Sequence, residues 1–106
     1  MIKKLYAEAG ELIERELERA NKDHPLFNSD HEGYAIMREE FEEASDELKK
    51  ITDSMDCLWE VIKSDAVGEA TLVRLKQRTR YLIAEAVQFG AMVEKFEQSR
   101  GKRNAE

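Results

Sequence analysis

The chain has 106 residues, 38% of them charged, and carries a net charge of −6. That length makes one small domain with a modest core, and the acidic balance leaves no basic excess to displace counterions, which excludes a nucleic-acid backbone as the main partner. The lone cysteine, Cys57, excludes an internal disulfide and points to a reducing compartment. The N-terminus turns acidic by Glu8 without the apolar stretch of a signal peptide. Apolar runs such as Tyr34–Met37 and Tyr81–Ala84 stop far short of a membrane span. The expectation is a cytoplasmic protein with neither a nucleic-acid nor a membrane partner.

Only Pro25 and the glycines at 10, 33, 68, 90 and 101 are strong breakers, a profile that favours long helices over sheet. A first helix is predicted from about Ile2 to Asn21, because Ile2, Leu5, Ala9, Leu12, Ile13, Leu17 and Ala20 share one face at helical spacing. Pro25 and Asn28 then mark a connection, under which Leu26 and Phe27 can tuck. Ser29 followed by Glu32 has capping-box spacing and starts the second helix. From there Tyr34, Met37, Phe41, Ala44, Leu48, Ile51, Met55, Leu58 and Ile62 alternate in steps of three and four, the signature of coiled-coil-like packing.

The third helix repeats the pattern through Leu72, Leu75, Thr79, Leu82, Ala86, Phe89, Val93 and Phe96. The short segment Ser64–Gly68 between the two suits a tight turn, and short connections give antiparallel neighbours. The fold class is therefore all-α: a long antiparallel helical hairpin plus an N-terminal helix, assembling into a helical bundle. Residues 1–100 form the single domain, and the polar stretch 101–106 is expected to be a disordered tail. At 1.5 Å per residue the second helix is about 50 Å long and the first only about 30 Å. The seam near Met55, Leu58, Trp59 and Ile62 is then left uncovered, and exposed apolar stripes usually meet a partner. A homodimer or homotetramer with the hairpin tips in its interface is expected, with Trp59 as an anchor.

Acidic residues crowd between Glu39 and Glu47. Glu39, Glu42 and Asp46 project away from the apolar seam and read as a solvated face. Glu40, Glu43 and Glu47 instead form their own stripe beside the seam. A fold-back centred near Ser64 sets Glu40 opposite Gln88 and Glu43 opposite Glu85. Carboxylates converging there repel one another and lose hydration. A hard divalent cation resolves the conflict, and oxygen-only ligands favour Mg²⁺ or Mn²⁺ over Zn²⁺. The alternative is that this flank, like many acidic flanks, only faces solvent.

The stretch His31-Glu-Gly-Tyr-Ala-Ile-Met-Arg-Glu-Glu-Phe-Glu-Glu43, with Glu85-Ala-Val-Gln88-Phe-Gly-Ala-Met92, resembles the MazG-type all-α nucleoside triphosphate pyrophosphatases of bacteria and their phages. The family pattern is Glu-Glu-x-x-Glu on one helix and Glu-x-x-Asp on the next. Glu39, Glu40 and Glu43 match the first part and Glu85 the second, while Gln88 stands where the family carries aspartate. The segment between the motifs is also longer than is typical. The resemblance spans about residues 29 to 96.

It implies hydrolysis of a nucleoside triphosphate to its monophosphate and pyrophosphate, with Mg²⁺ (or Mn²⁺) held by Glu40, Glu43, Glu85 and Gln88. Glu39 or Glu47 would orient or deprotonate the attacking water. Lys95, two turns beyond Glu85 and Gln88 on one stripe, and His31 are the candidates for substrate contact. Against those roles stand an ordinary surface lysine and a structural histidine in a first helical turn. Tyr34, Met37, Phe89 and Met92 read as core residues or as the apolar wall of a nucleotide pocket. The rival functional reading is a non-catalytic helical module for oligomerisation or nucleotide binding, favoured by Gln88.

Overall fold

The computed structural model describes residues 1–105, and among these it is all-helical. Helix α1 runs Ile2–Asp23, α2 Asp30–Lys63 and α3 Glu69–Ala105. The arms of the hairpin are 34 and 37 residues long, and the molecule measures 64 × 29 × 22 Å. Helix α1 lies along α3. Ile13 sits against Gly90, and Asn21 Nδ2 donates to Gln98 Oε1 at 3.1 Å, so the two run parallel.

Local chemistry accounts for the boundaries. Ser29 caps α2, its hydroxyl accepting from the Glu32 amide at 3.1 Å, the first half of the expected capping box. The Glu32 carboxylate accepts from Asn28 Nδ2 at 3.5 Å. At the other end, Ser64 Oγ donates to the Glu60 carbonyl, and the chain reverses through Asp65 at φ 53. That left-handed residue lets the Ala66 amide reach back to the Val61 carbonyl at 3.0 Å, which closes the helix end.

The connection between α1 and α2 is clamped to α3 through Phe27, which is buried. Its amide donates to Ser99 Oγ at 2.9 Å, its carbonyl accepts from Arg103, and the Lys95 ammonium lies over its ring. Gly33 makes this possible. A Cβ there would stand 2.5 Å from the Phe96 ring and 2.9 Å from that of Phe27. The stretch expected to be a disordered tail is helical through Ala105, because Arg100 and Arg103 both pair with Asp30 at the start of α2.

The seam is rotated by one row from the expected one. Met37, Ala44, Ile51 and Leu58 do face α3, but their companions are Gly33, Glu40, Glu47, Ser54 and Val61. Tyr34, Phe41, Leu48, Met55 and Ile62, expected in the seam, are 45–59% exposed. On α3 the same shift brings Thr71, Arg78, Glu85, Met92 and Ser99 inward and leaves Leu72, Thr79, Ala86 and Val93 outside. The apolar stripe is three rows wide, and one facing helix covers only two of them. Small residues at Gly33, Ser54, Thr71 and Ser99 let the arms close on the side that holds the glutamates. The uncovered surface therefore runs the length of α2, beyond the hairpin tip.

Candidate metal and phosphate site

Glu40 and Glu43 lie one turn apart on α2, and Glu85 meets them from α3. Each offers a carboxylate oxygen within 4.8 Å of the others. Glu40 and Glu85 are half-buried and Glu43 is exposed. One oxygen of Glu40 and one of Glu85 are sealed from solvent without a hydrogen-bond partner. A buried acceptor left in that state costs on the order of 1–3 kcal/mol.

The electrostatics follow from that crowding. Burial, reinforced by the charges of Glu43 and Glu85, pushes the Glu40 carboxyl up to about 7. Glu85 is raised as well, again by burial first and then by its hydrogen bond to Glu43 and the charges of Glu43 and Glu47. A divalent cation bound by carboxylates crowded in this way would take the place of the protons that the crowding favours.

Beside the cluster opens a cavity of about 440 Å³ between the C-terminal half of α1 and the hairpin. Glu40 and Gln88 line it together with the apolar side chains of Ile36 and Met92 and the charged Lys95 and Glu32. Lys95 is 2% exposed. Its ammonium has one long hydrogen bond, to the His24 carbonyl at 3.5 Å, and burial lowers its pKa. An ammonium with donors to spare, facing a cavity, is suited to an anion.

The fold brings together Glu40, Glu43 and Glu85, and places Gln88 and Lys95 with Glu40 in the lining of one cavity. Glu47 lies one turn further along α2 and is already engaged: Lys50 Nζ donates to it at 3.2 Å, and Arg78 approaches at 3.9 Å. Glu39 is exposed on the outer face, and His31 is exposed in the first turn of α2 without lining the cavity. The histidine at the cavity is His24.

Sequence reasoning missed the contribution of α1. Glu16, Arg19, Asp23 and His24 form one wall, with Arg19 paired to both Glu16 and Asp23. The available signal was their spacing beside Leu17 and Ala20, the two buried residues of α1. Comparison of the chain with family models, with curated proteins and with solved structures gives no match.

Proposed function

We propose that the chain is a Mg²⁺- or Mn²⁺-dependent nucleoside triphosphate pyrophosphohydrolase that releases a nucleoside monophosphate and pyrophosphate. The observation that carries this reading is the convergence of Glu40, Glu43 and Glu85, with two sealed and unpartnered oxygens, beside a cavity that holds a buried lysine. Glu40, Glu43 and Glu85 would hold the cation, with the Gln88 amide oxygen as a further ligand. All are hard oxygen donors, the set that Mg²⁺ and Mn²⁺ accept. The cation supplies charge neutralisation for the phosphates and a template for in-line attack.

The chain's own residues do the rest. Lys95, whose charge is shared with the nearby Glu32, takes phosphate charge in the same cavity, and Ile36 and Met92 offer apolar surface to the nucleoside. Glu47 is the residue best placed to orient a water, since it lies one turn from Glu43 and is held by Lys50, with Arg78 close by. Glu39 faces away and is the weaker candidate.

A second reading is a non-catalytic nucleotide-binding module. Gln88 favours it, because an amide in place of a carboxylate removes one negative charge from the ligand set.

The deciding experiment measures pyrophosphate release from a panel of common and modified nucleoside triphosphates with Mg²⁺ or Mn²⁺. Turnover is expected from the wild-type chain, with a loss of at least about 100-fold in Glu40→Gln or Glu85→Gln, the scale of a lost metal contact. No turnover from the wild type or from Gln88→Asp, combined with triphosphate binding, establishes the module instead.

A further inference from the structure

We infer that Arg103, in the last turn of α3, is a positioning residue for Lys95: it carries the Phe27 loop and so leaves the buried ammonium free to meet an anion in the cavity. The inference rests on the proposed reading, in which Lys95 takes phosphate charge.

The loop between α1 and α2 has backbone groups outside any helix, and each such group needs a partner when it is buried. Helix α3 supplies partners from one stripe, Lys95, Ser99 and Arg103, spaced four residues apart. The ties differ in quality. Ser99, 2% exposed, accepts from the Phe27 amide at 2.9 Å and donates to the Lys95 carbonyl at 2.7 Å. The Arg103 guanidinium donates to the Phe27 carbonyl at 3.2 Å and also to the Asp30 carboxylate, so its fork joins the loop to the first turn of α2. Lys95 makes only the 3.5 Å contact with the His24 carbonyl, longer than the roughly 2.7–3.2 Å of a good hydrogen bond.

The short ties therefore belong to residues outside the cavity lining, and the long one to the residue within it. With the loop held in this way, the Phe27 ring stays 5.2 Å from the Lys95 ammonium and covers it. Cover matters because a charge attracts an anion more strongly in a low-dielectric setting than in water. A released loop admits water and leaves Lys95 to serve as its remaining cationic tie.

Arg103 acts at a distance. It lies two turns beyond Lys95, about 12 Å along the helix axis, and does not line the cavity. Arg100 supplies the control for plain charge. It pairs with the same Asp30 at 3.6 Å, but lies over the ring of Phe96 instead of serving Phe27.

Calorimetric titration with inorganic pyrophosphate in excess Mg²⁺ tests the inference. Arg103→Met is expected to weaken binding by at least about tenfold, and Arg100→Met, which removes the same charge, by less than about twofold. On a Lys95→Met background Arg103→Met is expected to add nothing further, because both substitutions act on one interaction. Equal losses in the two arginine variants overturn the proposal, as does an Arg103→Met effect that is absent or that persists in full without Lys95. A wild-type chain that binds no pyrophosphate, or a Lys95→Met variant of undiminished affinity, is a different failure: it removes the phosphate role of Lys95 itself, and this proposal with it.

Should Arg103→Met not fold, the wild-type chain supplies a second readout. Coupling between sites is reciprocal, so saturating pyrophosphate is expected to slow hydrogen exchange of the Phe27 amide by about the same tenfold factor. A Phe27 amide that bound pyrophosphate leaves unprotected overturns the proposal.

Discussion

Glu40 makes the chain's stability depend on pH in a direction opposite to that of most acidic residues. Its carboxyl titrates near 7 in the fold, against an ordinary value of 4.5. Between those limits the folded chain holds a proton that the unfolded chain has released. Stability therefore falls as pH rises through the window from about 4.5 to 7. Glu85, raised for the same reasons, adds to the slope. Glu40→Gln removes the loss, so in metal-free buffer its melting temperature at pH 8 is expected to exceed that of the wild type, and the two are expected to converge near pH 4. Millimolar Mg²⁺ or Mn²⁺ has the same effect on the wild type by binding the native state and little effect on the variant. Wild-type and variant melting curves that stay parallel from pH 4 to 8, with no response to either metal, argue that the cluster is a solvated acidic flank.

Lys95 separates a functional buried charge from a structural one. It is 2% exposed and has one long hydrogen bond and a cation–π contact with Phe27 to offset its burial. Lys95→Met keeps the stem and removes the charge. Stability is expected to hold or rise by about 1 kcal/mol in urea unfolding, while pyrophosphate release falls. A loss of more than about 2 kcal/mol identifies Lys95 as a clamp for the Phe27 loop rather than a phosphate ligand.

Among the elements, the turn and the glycine approach respond oppositely to the usual helix preferences. Asp65 occupies the left-handed region at φ 53, where a side chain costs roughly 1 kcal/mol relative to glycine. Asp65→Gly is expected to raise stability by up to about 1 kcal/mol. Gly33→Ala, which improves intrinsic helix propensity by about 1 kcal/mol, is expected to lower it, since the new methyl meets Phe96 and Phe27 at the point where the loop, α2 and α3 converge. A stabilised Gly33→Ala shows that the Phe27 loop is not seated as described.

The same elements show what the residue pattern reveals. Three helices, their breaks at Pro25 and Ser64–Gly68, and the Ser29 cap are legible because each depends on local chemistry. The meeting of Glu40 and Glu43 with Glu85 is legible because a short turn sets the register of both arms. Which two of three apolar rows face inward is not, since Tyr34, Phe41 and Leu48 look as suited to the seam as Met37, Ala44 and Ile51. The choice falls on the side where Ser54 and Thr71 allow close approach. The wall contributed by Glu16, Arg19 and His24 is hidden for a different reason: nothing within α1 states that it will lie along α3.

For the whole molecule, burial is concentrated at one end. Leu17, Ala20, Phe27, Gly33, Ala91, Lys95 and Ser99 lie where α1, the Phe27 loop and the base of the hairpin meet. Toward the tip only Ser54 and Thr71 are buried, and both are small and polar. Helices of this length stay closed mainly through packing of an apolar face, so a lone hairpin has little to hold its last turns together. Local opening is governed by that difference in buried contact. Amides from about residue 55 to 72 are expected to exchange at least ten times faster than those from 91 to 99. Equal protection at both ends means that the tip is held by something other than burial.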